Sequence, residues 1–180
     1  AFLEGHDHGY PVRALRGDLE EVRRRMAEVS RDPTTPDTRL SDNPNPFNPA
    51  VVGALAELAM GALPNRQGTP LHCRFRYFDP ERLRPGLPED VATLVETLED
   101  DGATLSVVNL HPAEERIVVV QGGAYAEHEI VEVQATEAAP RPVDGPAFAL
   151  RMVPGAATRL RVRMRRYARR PALALPWDFV

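Results

Sequence analysis

The sequence predicts a mainly β chain of the α+β class: an antiparallel β-sandwich preceded by two helices that pack on a partner domain or chain. Three observations carry that expectation. Residues 104–133 hold β-branched runs cut by His111-Pro112 and Gly122-Gly123, the punctuation of three consecutive strands. Apolar residues at 12, 15, 19, 22, 26 and 29 recur at helical spacing. Residues 51–60 are apolar nearly all round, as in a helix buried on most sides.

Taken in order, residues 1–11 mix polar groups, glycines and aromatics and read as an ordered loop. The helix from Val12 follows, with Arg13, Arg16 and Arg23 to Arg25 off its apolar stripe; so narrow a stripe wants a partner helix. A long loop rich in Pro, Asp, Asn and Thr spans 31–49. Asn48 then serves as N-cap, Pro49 as first helical residue and Gly61 as stop for the second helix. Residues 1–66 therefore read as the end of a helical domain, and 67–180 as the sandwich.

Within the sandwich the first strand covers 70–78, with Leu71, Cys73, Phe75 and Tyr77 on one face and His72, Arg74 and Arg76 on the other. Pro88-Glu89-Asp90 opens a short helix over 88–99, because Val91, Leu94, Val95 and Leu98 fall at i, i+3, i+4 and i+7. Ile117 to Val120 are apolar on both faces and suit a strand covered on both sides, whereas 127–133 alternate as a half-exposed strand would. Phe148–Val153 and Thr158–Tyr167 supply further strands, joined by Pro154-Gly155. An Ala/Pro segment with an Asp144-Gly145 turn precedes them, and Pro171–Val180 forms an extended apolar tail.

Composition narrows the functional classes. A formal charge of −4 gives no argument for nucleic acid. The 22 basic residues are all arginine, which with 18 prolines points to GC-rich, bacterial coding. Cys73 is the single cysteine, so an internal disulfide is excluded and a reducing, cytoplasmic compartment is expected. Neither a signal peptide nor an apolar run of the roughly 20 residues a membrane helix requires is visible. The start at Ala-Phe-Leu-Glu implies processing or a longer product.

His6-Asp7-His8, with Tyr10, is the leading candidate site. In a strand-like loop the two imidazoles point the same way, and Glu4 could join them around zinc or another divalent ion. Alternatively, one histidine and Asp7 supply acid–base groups, or the pair are loop histidines bonded to backbone. No organic cofactor is implied. Cys73 reads as a buried structural thiol, and His111 and His128 as surface residues. Arg159, Arg161, Arg163 and Arg165 lie on one strand face. They form either an anion-binding surface or a stripe paired with Glu127, Glu129 and Glu132, and the acidic total charge favours pairing.

A helix pair ending in Asn-Pro-Phe-Asn-Pro-Ala, followed by strands such as Leu105 to Val120, resembles the C-terminal part of bacterial (α/α)-toroid enzymes of the polysaccharide lyase and glycoside hydrolase type. The resemblance covers residues 40–170 and is one of architecture. It implies a C-terminal subunit or fragment of an enzyme acting on a carbohydrate-like or other small neutral substrate. There the sandwich supports a helical catalytic domain that lies outside this chain. The alternative is a non-catalytic assembly module that docks an acidic partner through its arginine stripe. Both readings require another chain or a helical domain as partner.

Overall fold

The structure is a computed structural model and describes residues 1–35, 37, 48–62 and 71–179. Most of the loop expected over 31–49, including Phe47, lies outside the described residues, as do Pro70 and Val180. Two compact units are present: residues 8–55, and residues 1–7 together with 56–180.

The first unit is built on α1 (Tyr10–Arg31), which has Pro11 in its first turn. Its exposed side is laced by Arg24–Glu21, Arg24–Glu28 and Arg25–Glu21 pairs three and four residues apart. α1 has no buried residue, and its stripe residues Val12, Leu15, Leu19 and Met26 are 53, 40, 48 and 55% exposed. The second helix, α2 (Gly53–Met60), begins later than Asn48 and Pro49 foretell. Asn48 instead closes a local turn, its Oδ1 accepting from Ala50 N at 2.9 Å. The cap at α2 comes from Asp18 of α1, whose Oδ2 accepts from Ala54 N at 2.9 Å. An acceptor 36 residues upstream leaves no local trace in the sequence. Gly61 does end α2, at a left-handed φ of 57°.

The second unit is the expected antiparallel sandwich. One sheet has four strands in the order β2-β1-β5-β8: β1 Phe75–Asp79, β2 Arg84–Pro85, β5 Arg116–Gly122 and β8 Ala147–Met152. The other runs β3-β4-β9-β6-β7: β3 Val91–Glu99, β4 Gly102–Asn109, β6 Glu129–Ala135, β7 Arg141–Gly145 and β9 Ala157–Arg165. The three consecutive strands β4, β5 and β6 thus alternate between sheets. Phe75, Tyr77, Val118, Val120 and Met152 from the first sheet meet Val95, Leu105, Val107, Ile130, Leu160 and Val162 from the second in one core. The outer face of the four-stranded sheet is covered in part by the C-terminal tail. There Trp177 sets its ring edge-on to the fully buried Phe78 at 5.9 Å. The tail ends in a 3₁₀ turn over Pro176–Phe179, not in extended chain.

Two elements correct the sequence reading. Residues 91–99 form β3 and not a helix. Its register slips between Val95 and Thr97, so the core-facing residues step 91, 95, 98 instead of keeping to every second position. That bulge imitates helical spacing. The Ala/Pro segment also contains a strand, β7, which tolerates Pro142 because it lies at the sheet edge.

Candidate functional site

His6 and His8 do not stand side by side on a strand. Asp7 between them adopts a left-handed backbone, φ 57°, following a 3₁₀ turn over Phe2–Glu4. His6, Asp7 and His8 are exposed, and Tyr10 is half-buried at the start of α1. His6 N donates to Ala1 O at 2.9 Å, and Glu4, expected as an extra oxygen ligand, accepts from the Ala1 ammonium at 2.6 Å. Among the described residues no group of three or more His, Cys, Asp or Glu side chains is placed to hold a metal.

The arginine stripe resolves into pairs. Arg159 meets Glu96 at 2.8 Å, Arg161 meets Glu99 at 2.9 Å, Arg163 meets Glu132 at 3.5 Å and Arg165 meets Glu129 at 2.5 Å. Two of these acids come from β3, hidden from the sequence reading by the helix assignment. Glu127 takes no part. It is buried, and its carboxylate accepts from Ala124 N at 3.3 Å and Tyr125 N at 2.7 Å.

Polar side chains gather instead in a cleft of about 210 Å³ at one end of the sandwich. Three segments supply its polar side chains. The approach to β1 brings His72, Cys73 and Arg74; the entry to β6 brings Glu127 and His128; the chain leaving β9 brings Arg166 and Tyr167. Arg74, placed by sequence on the face opposite Cys73 and Phe75, is only 8% exposed, and its Nη1 donates to the carbonyls of Glu99 at 3.2 Å and Gly102 at 3.4 Å. Burial and the neighbouring Arg166 push its pKa down, against smaller opposing effects of Tyr167 and Asp100.

His128, expected on a surface, is 3% exposed. Its Nδ1 accepts from Tyr167 N at 3.1 Å, and the Tyr167 ring stands edge-on at 4.8 Å. The neutral ring therefore carries its proton on Nε2. Desolvation lowers its pKa, aided by Arg74 and Arg166 and opposed by Glu127. The unfolded ring, with an ordinary pKa near 6.5, then takes up a proton first on acidification. This contribution to stability is complete above about pH 6.5 and is lost as the pH falls toward the folded-state value. His128→Asn, whose Oδ1 can accept the Tyr167 N–H, is expected to flatten the loss of urea stability between about pH 7 and 5. An unchanged slope would place the acid sensitivity elsewhere.

Cys73 behaves as the sequence reading holds. Burial, and then the charge of Glu127, raise its thiol to about 12, against a smaller pull from Arg76, so it is no nucleophile at neutral pH. His111 sits in a turn, Nδ1 accepting from Ala113 N at 3.2 Å and Glu114 N at 2.7 Å. The buried Asn109 holds that turn by accepting from His111 N at 3.0 Å and donating to Glu114 O and Val153 O. These polar groups serve structure.

No protein-family model, curated protein or solved structure matches the chain. No helix among the described residues is long and apolar enough to cross a membrane.

Proposed function

We propose that the chain is a non-catalytic sandwich module that docks through α1 on the helices of a partner chain or domain, where the chemistry resides. One observation carries this: a 22-residue amphipathic helix on whose apolar stripe Val12, Leu15, Leu19 and Met26 are exposed and Val22 and Val29 half-buried. Monomeric proteins rarely present an apolar surface above a few hundred Å², and covering one stabilises by about 25 cal/mol per Å². Exposed Val52, just before α2, and Leu55 on α2 add to the unpartnered apolar surface. The inert thiol of Cys73, the neutral His128 and the backbone-bound Glu127 support a non-catalytic part. On the resemblance to toroid enzymes, the partner is a helical catalytic domain acting on a carbohydrate-like or other small neutral substrate, in a cytoplasmic setting.

Expressed without that partner, the chain is expected to self-associate in native mass spectrometry as concentration rises. The double variant Leu15→Glu, Leu19→Glu, which alters only exposed positions, should return it to a single copy with an unchanged melt. A monodisperse single copy whose α1 amides resist hydrogen exchange as strongly as the β-strands would overturn this function.

A further inference from the structure

Arg74 presents five N–H donors, and its protein acceptors all lie on Nη1: Glu99 O, Gly102 O and, at 3.9 Å, Met164 Sδ. Its Nε and Nη2 have no acceptor among the described residues. A guanidinium this buried is ordinarily paired with a carboxylate, since an uncompensated buried charge is costly. Glu127, in the same cleft, has its oxygens turned to the Ala124 and Tyr125 amides.

Arg166 repeats the pattern. Arg159, Arg161, Arg163 and Arg165 each have a carboxylate within 4 Å. Arg166, next in the chain, has none among the described residues. It lines the cleft with its guanidinium 5.5 Å from the Tyr167 ring centre. Two cations without a carboxylate partner among the described residues thus face one small cavity, whose single acid, Glu127, turns both oxygens to backbone amides. The repulsion from Arg166 that helps depress Arg74 agrees with this arrangement.

We propose that this cleft binds a compact oxyanion, a phosphate or carboxylate group held between Arg74 and Arg166. Planar guanidinium forks match the paired oxygens of both groups, and partial burial strengthens charge-assisted hydrogen bonds. Space of about 210 Å³ admits one such group with a small apolar attachment along Leu3, Leu98 and Ala62. The site is independent of α1 and of the docking proposed above.

Isothermal titration of the full chain with inorganic phosphate, with acetate, and with sodium chloride at matched ionic strength tests it. A saturable one-to-one response to phosphate or acetate, and not to chloride, is expected, the stronger of the two naming the ligand class. Arg166→Gln changes an exposed side chain and should weaken binding about tenfold or more, the loss of one charge-assisted contact. Arg165→Gln, whose guanidinium pairs with Glu129, should leave the affinity unchanged. Heats that chloride reproduces, or equal affinities for the wild type and Arg166→Gln, would overturn the site.

Discussion

Val118→Asp is expected to leave no cooperatively folded sandwich at room temperature. Val118 is fully buried on β5, between β1 and β8, and faces the core shared with Leu105 and Val162. An aspartate there either stays charged without a partner or takes up a proton and remains an unbonded polar group. In both cases it also loses the valine's apolar contacts. The combined cost is several kcal/mol, against a domain stability of about 5–15. Val119→Asp supplies the comparison, because Val119 points to the other face and is only half-buried. It should lower the urea midpoint without abolishing the transition. Equal loss in both variants would mean that inward and outward faces of β5 are not distinguished by burial.

The parts of the fold that could be read from sequence share one property: their pattern survives into the structure unshifted. On β9, Leu160, Val162 and Met164 alternate with arginines, and the alternation maps directly onto buried and exposed positions. β5 reads equally well, since a run of β-branched residues in the middle of a sheet needs no phase. Where the register slips, the pattern misleads. On β6 the slip between Ile130 and Glu132 moves the inward set to Ile130, Val133 and Ala135, so the alternation written in the sequence changes face halfway. On β3 the same device produced a false helix. Thr93 and Thr97, with Val91 and Val95, are β-branched at every second position, and that signal could have identified the strand.

The cleft was less legible, for a different reason. Arg74, Glu127, His128 and Arg166 stand on three distant segments, and each looks ordinary among its sequence neighbours. Arg166 follows an alternating stripe and reads as its continuation, yet the strand ends at Arg165 and Tyr167 turns at a φ of 53°. Only the departure from the strand separates it from its paired neighbours. Glu127 reads as a partner of Glu129 on the same logic. β6 begins only at Glu129, so the alternation does not extend back to it.

Glu127→Ala should be among the most damaging single changes outside the core, and Gly123→Ala should act through the same contact. The loop from Gly122 to His128 is held by its backbone: Gly123 N donates to Arg74 O at 2.8 Å, Ala172 N to Tyr125 O at 2.8 Å and Arg169 N to Glu127 O at 3.2 Å. The Glu127 carboxylate satisfies the two amides in its middle, and Ala124 is fully buried. Removing the carboxylate strands both N–H groups, at about 1–3 kcal/mol each. Glu127→Gln, which keeps one acceptor oxygen, should cost roughly half as much. Gly123 has a φ of 85°, and a methyl carbon there would lie 2.3 Å from the Glu127 carboxyl carbon. Alanine at 123 therefore adds left-handed strain of about 1–2 kcal/mol and also displaces the carboxylate. Once Glu127 is gone, the displacement no longer matters and only the strain remains. Urea midpoints for the two single variants and the double variant should accordingly be non-additive, the pair costing less than the sum. Strict additivity would show that the glycine and the carboxylate stabilise the loop separately.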